Sequence, residues 1–436
     1  MLKFNRPIFL RMLSVLILPL LACALVPVGF RVPTSPPSTP AISTTQLPKQ
    51  TSAALTRVAK KTLTFSTPTP PTLPSNTPAL APSSLETPTA SPTVSLNMLL
   101  LNVNKENIPA PSLADNLLGE SAERELLVYL PSSYYQSQKH YPVVYYLLDF
   151  GAIEAPAGIR PKDIQKDIRA GYAKEMILVI VSGVNTLGGS FYVNSPVTGG
   201  WEDFITRDLV AYVDAHYRTI PNAASRGIGG DSMGGFGALN LAMLHPDVFS
   251  AVYSIRPYLF DQDGLAESPM FTAPRTVSAF VDLMAHELLL PVDEAISDMQ
   301  HTSGDVQFAL AYGAAFVPDP QAGPPYLDYP YYRQNGRLFR DDATWGRWGA
   351  GFGNIPDKIQ AYKENLLKLK SIAVDYGTDD PYRWVPRGCE YFSAQLTAAG
   401  IPNRLVAFSG DPQASLEQRI REYMLPFFSE TLAFDD

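Results

Sequence analysis

Two near-continuous apolar runs constrain the fold more than any other feature of this chain: PVVYYLLD at Pro142–Asp149 and MILVIVSG at Met176–Gly183. A strand with one wet face alternates apolar and polar residues. An unbroken apolar run of this length suits a strand buried on both faces. Helices must then lie on both sides of the sheet, and their crossovers make it mostly parallel. The chain keeps this alternation from about Asn97 onward. RELLVY (Arg124–Tyr129), SIAVDYG (Ser371–Gly377) and RLVAFSG (Arg404–Gly410) read as further strands. Trp201, Ile205, Leu209, Tyr212 and Val213 recur at helical spacing. Val385–Ala399 reads as a helix stopped by Gly400, and Ser415 with Gln418 opens a final helix. The expected class is α/β, with a mostly parallel central sheet and helices on both faces.

Residues 229–235 read GGDSMGG, and Gly230–Gly234 fits G-x-S-x-G. That pattern places a nucleophilic serine on a tight turn between a strand and a helix. RGIGG before it and FGALNLAML after it supply both elements. Gly230 and Gly234 relieve crowding around Asp231 and Ser232, and the Met233 N–H can face a developing oxyanion. A second donor should come from the loop after Asp149, from Phe150 or Gly151. The acid should follow the serine in chain order, and a histidine should come last. Asp380, beyond Gly377, is the candidate acid, whereas Asp375 sits inside a strand pattern. The bland alternative for Asp379-Asp380 is a turn-forming pair.

The chain has 436 residues and a formal net charge of -8, which argues against nucleic acid as a partner, and no long basic run follows the N-terminus. Its two cysteines, Cys23 and Cys389, form no CxxC, and the five histidines are scattered, so neither a metal nor an organic cofactor is expected. Lys3, Arg6 and Arg11 precede an apolar run that ends in Leu20-Leu21-Ala22-Cys23. The tetrad resembles a bacterial lipobox, with Cys23 as the lipidated residue and 1–23 as a signal peptide. The alternatives are an uncleaved anchor or an ordinary secretory signal. Residues 24–96 are rich in Pro, Thr and Ser and read as an extended tether. The folded domain is then 97–436, held outside the cytoplasm by a lipid in the membrane.

The segment of about 257–369 interrupts the alternation. It carries PPYLDYPYYR and DDATWGRWGAGFG. Lying between the nucleophile and acid strands, it is either a lid with a substrate wall or a packed insertion. Trp345 and Trp348, with Tyr192 and Trp201, are the candidate wall residues.

The stretch GWEDFITRDLVAYVDAHYRTIPNAASRGIGGDSMGGFGALNLAMLHPDVFSAV resembles the esterase D-like branch of the α/β-hydrolases. That branch includes S-formylglutathione hydrolases, feruloyl and acetyl-xylan esterases, and mycolyltransferases. The resemblance runs from Arg124 to Phe428 and includes YPVVYYLL and YGTDD. It implies an α/β-hydrolase fold, Ser232 as nucleophile, Met233 as an oxyanion donor and Asp380 as acid. Where the family has His-Gly, this chain has Asp149-Phe150-Gly151. Where the family's last strand leads to the base histidine, it has Gly410-Asp411-Pro412. His140, His216 and His245 fall in scaffold positions, and His286 and His301 lie in the insertion.

Two functions fit these residues. One is a surface serine esterase or acyltransferase, forming an acyl-enzyme on Ser232 with a small-molecule or polymer-linked ester and slowed by Pro412 at the base position. The other is an inactive hydrolase fold that binds glycans or acylated polymers.

Overall fold

The structure, a computed structural model, describes residues 102–410 and 415–435. The signal segment with Cys23, the tether, Asp411 and Pro412 lie outside the described residues. Eight strands build the central sheet: β1 (Val103–Pro109), β2 (Glu123–Tyr129), β3 (Val143–Leu147), β4 (Ile177–Val181), β5 (Arg226–Asp231), β6 (Ala251–Ile255), β7 (Ser371–Gly377) and β8 (Arg404–Phe408). Their spatial order is β1-β2-β4-β3-β5-β6-β7-β8. Pairing is antiparallel across β1–β2 and β2–β4 and parallel from β4 to β8. This is the α/β-hydrolase architecture that the resemblance implies.

The continuous apolar runs are explained by burial on both faces. Val143, Tyr145 and Leu147 of β3 join one core layer, and Val144 and Tyr146 join the other. Helix α1 (Pro161–Arg169) and the C-terminal helix cover the second layer, where Ile164, Leu425 and Phe428 are buried. Helices α2 (Val210–His216) and α3 (Met233–Leu244) cover the first. Trp201, Ile205, Leu209 and Val213 form one buried row on the helical stretch leading into α2. Residues four apart drift about 40° around an ideal α-helix. The π-helical stretch Phe204–Leu209 turns less per residue and brings the row back into line.

Parallel register lines up the loops that matter. Leu147 pairs with Gly230, Gly230 with Ser254, and Ile255 with Asp375. Asp149, Ser232 and Arg256 therefore leave three adjacent strands at the same level, at the carboxyl edge where α/β proteins place their sites.

The insertion lies between β6 and β7. It comprises α4 (Pro274–Glu287), α5 (Val292–Gln300), α6 (Gly304–Phe316), the hairpin Tyr331–Gln334/Arg337–Arg340 and α7 (Asp342–Phe352). Its aromatic residues pack among themselves: ring centroids are 4.9 Å apart for Phe271–Tyr312 and 4.8 Å for Tyr312–Phe352. It also reaches the sheet's carboxyl edge, with Phe308 at 5.1 Å from Phe150. The insertion is thus a packed unit whose α6 covers the rim of the site. Among the described residues no helix is long and apolar enough to cross a membrane.

Candidate functional site

Ser232 sits between β5 and α3 with φ 55° and ψ -113°, a backbone conformation strained for any residue with a side chain. Its N–H donates to Ile255 O (2.9 Å), and its carbonyl accepts from Phe236 N–H (3.0 Å). These bonds hold the turn from both sides. The flanking glycines are required by space: a Cβ on Gly230 would lie 2.5 Å from Leu147 O, and one on Gly234 2.0 Å from the same oxygen. The elbow therefore exists because β3 runs directly against it. Ser232 is fully buried.

The expected oxyanion donors are already engaged. Phe150 N–H donates to Asp149 Oδ1 at 2.6 Å, and Met233 N–H donates to the same oxygen at 3.2 Å. A carboxylate oxygen thus stands where two N–H groups from β3 and β5 loops converge, the position a substrate oxyanion needs. Gly151 is not a donor to this point, because its N–H is bound to Gly188 O at 2.9 Å. Burial raises the Asp149 carboxyl above its ordinary value, although the Ser232 hydroxyl, the two N–H groups and Arg256 all favour its charged form. Ser232 Oγ lies near it and, among the described residues, makes no hydrogen bond of good geometry. Burial, reinforced by the charge of Asp149, pushes Asp231 up to about 7, against a bond donated by Tyr146 OH (3.0 Å). Burial likewise keeps the nearby Tyr258 phenol protonated.

Asp380 is buried in the loop after β7, as its place in chain order implies, while Asp379 is exposed. Its partner is Arg256, the first residue after β6. Arg256 Nε donates to Asp380 Oδ2 at 2.9 Å and Nη2 to Oδ1 at 3.4 Å. Tyr382 N–H adds a third donor at 2.8 Å. Asp375 belongs to the scaffold, paired with the buried Arg419 and accepting from Tyr253 OH. Arg256 is absent from the sequence-derived residues. Its only local signal is the five-residue run AVYSI before it, which reads equally well as the tail of PDVFSAV.

No histidine among the described residues is hydrogen-bonded to Ser232. His140 lies 4.0 Å from Asp435, His245 2.8 Å from Glu202, and His286 3.7 Å from Asp298. His216 stacks on Tyr212, and His301 bonds its own helix at Ser297 O. These are all five histidines of the chain.

The expected substrate wall is corrected in three of its four positions. Trp201, Tyr192 and Trp348 are fully buried. Trp201 Nε1 donates to Thr198 O (2.9 Å), Tyr192 OH to Leu148 O (2.9 Å) and Trp348 Nε1 to Asp328 O (2.7 Å). Their polar tips are satisfied by backbone, so they are core residues. Trp345 is partly exposed and stacks under Arg340 (4.8 Å). The rings that approach the site are Phe150, Tyr258 and Phe308.

The sequence model of a family described as Putative esterase matches residues 121–381. Esterase Rv1288 of Mycobacterium tuberculosis H37Rv is 31% identical over 134 residues, which are 29% of this chain and 27% of that protein. The chain thus matches about a quarter of that relative's length. Among solved structures, a ferulic acid esterase superposes with a TM-score of 0.48 at 20% identity, covering 76% of this chain and 98% of that one. An S-formylglutathione hydrolase from Agrobacterium tumefaciens gives 0.45 at 16% identity, covering 76% and 95%. The family match spans more than half of the chain and carries the elbow, the arginine after β6 and the Asp380 loop in one continuous stretch, so the chain belongs to this esterase family.

Proposed function

We propose that this chain is a lipid-anchored, extracytoplasmic esterase-type protein that recognises ester-bearing molecules at Ser232 and turns them over only at a residual rate. The observation that carries this reading is the Arg256–Asp380 ion pair. The acid that would orient a base histidine is committed to a guanidinium, and all five histidines are engaged elsewhere. A triad lacking one member retains about 10³–10⁴-fold catalysis over water, from the oxyanion hole and binding. Acylated polymers or glycans at the cell surface suit a domain carried on a Pro/Thr/Ser-rich tether. The test is hydrolysis of p-nitrophenyl butyrate by the purified protein and its Ser232→Ala variant. The proposal expects a very slow rate. A Ser232-dependent kcat of about 1–10³ s⁻¹, the ordinary range for enzymes, would overturn it. For the anchor, Cys23→Ser should abolish incorporation of radiolabelled palmitate.

A second reading, a working serine esterase with an acyl-enzyme on Ser232, is favoured by the convergence of the Phe150 and Met233 N–H groups on one point. It requires the Asp149 carboxylate to leave that point.

A further inference from the structure

The insertion carries a second polar centre that shares no residue with the Ser232 site. His286 and Glu287 end helix α4, and Asp298 stands on α5. One ligand-type atom from each lies within 4.8 Å of the others. His286 Nε2 is 3.7 Å from Asp298 Oδ2. Glu287 is the member that asks for an explanation. Its side chain is buried, and among the described residues neither Oε1 nor Oε2 has a hydrogen-bond donor. A buried carboxylate without a partner is strongly unfavourable. The neighbouring Asp298 adds a second negative charge, and among the described residues neither Lys nor Arg is ion-paired with Glu287.

We propose that His286, Glu287 and Asp298 bind a divalent transition cation, Zn²⁺ foremost, with water completing the coordination. The donor set is one imidazole nitrogen and two carboxylate oxygens, which suits zinc. Calcium takes 6–8 oxygens, more than these three residues supply. Tetrahedral zinc with bonds of about 2.0–2.1 Å sets its donors about 3.4 Å apart. The His286–Asp298 separation is already within a few tenths of an ångström of that. Both of these side chains are more than half exposed and free to close over the buried Glu287. The bound ion neutralises the paired carboxylates and ties α4 to α5, making it a structural staple of the insertion. The sequence carries no zinc spacing here, because two of the ligands are adjacent and the third comes from the next helix.

The experiment is isothermal titration of the full chain, stripped with EDTA and desalted, with ZnCl₂ and separately with CaCl₂. One equivalent of zinc should bind, and the melting temperature should rise with zinc concentration. Glu287→Gln, which keeps the shape and removes the charge, should weaken binding at least about tenfold, as should the exposed-site variant Asp298→Asn, in line with loss of a metal ligand. His140→Ala, at the His140–Asp435 pair, should leave binding unchanged. The proposal is overturned by absence of saturable zinc binding, by wild-type affinity in either carboxylate variant, by loss of binding in His140→Ala, or by calcium binding as tightly as zinc. None of these readouts depends on esterase activity.

Discussion

Replacing Asp149 by alanine should free the two N–H groups that converge beside Ser232. In the wild type, Oδ1 of Asp149 holds both Phe150 N–H (2.6 Å) and Met233 N–H (3.2 Å). Hydrogen bonds to a charged group contribute about 1.5–3 kcal/mol each. An incoming carbonyl or phosphonyl oxygen must therefore displace about 3–6 kcal/mol of existing bonding, a ceiling of about 10²–10⁴ in rate. Water entering the vacated space will reduce the gain, so the expected rise is at least about tenfold. The assay is the rate of Ser232 labelling by a fluorophosphonate probe, with Ser232→Ala as the blank. Asp149→Asn supplies the discriminating comparison. Its amide oxygen can accept the same two bonds, at roughly half the strength of a charged acceptor, so its rate should fall between wild type and Asp149→Ala. Alanine also leaves two buried N–H groups without a protein partner, which should lower the melting temperature and gives a check on folding. The reasoning fails if Asp149→Ala labels no faster than wild type. Slower labelling would mean instead that the carboxylate assists Ser232 as a base.

Four further outcomes are expected. Arg256→Met strands Asp380 as an unpaired buried carboxylate and should destabilise the domain by about 3–5 kcal/mol in urea denaturation; a loss under about 1 kcal/mol would show that the pair does not hold the loop. Pro412→His alone should raise p-nitrophenyl ester hydrolysis by less than about tenfold, because Arg256 retains Asp380, whereas a gain of about 10³ or more would mean that the new ring recruits the acid. Asp231 is raised from 3.8 to about 7 in the fold, so the folded state holds the extra proton between those values and stability should fall as pH rises through that window; Asp231→Asn should flatten the slope measured between pH 4.5 and 7.5, and an unchanged slope would place the proton elsewhere. Gly234→Ala drives a Cβ into the backbone carbonyl of Leu147, which cannot swing aside as a side chain could, and should cost more than about 3 kcal/mol or prevent folding; a melting temperature like that of wild type would refute the close approach.

The central sheet was legible in the sequence because its strands are buried on both faces and therefore apolar without interruption. SIAVDYG coincides with β7, and RELLVY and MILVIVSG differ from β2 and β4 only at their ends. Gly400, with φ 77°, stands just past the helix Trp384–Ala398, as its role as a stop requires. β1 and β6 were not legible: VNKENIP is a mostly polar edge strand, and AVYSI follows directly on another apolar stretch. Missing β6 concealed Arg256 and with it the true partner of Asp380. The carboxylate that holds the Phe150 and Met233 N–H groups was hidden for a different reason. Asp149 and Met233 are 84 residues apart, and only the pairing of β3 with β5 brings them together. The aromatic wall was misassigned because a tryptophan pattern does not reveal whether the indole N–H meets backbone or ligand, and Trp348 meets Asp328 O.

The ring cluster above the elbow turns access to Ser232 into a question of timing. Phe150, Tyr258 and Phe308 interlock across the boundary between sheet and insertion. Ser232 is fully buried, so an acyl group reaches it only when the local structure opens. The frequency of that opening then caps every reaction at Ser232, however reactive the serine becomes. Variants at Asp149 would share this cap, and their rates should converge as probe concentration rises.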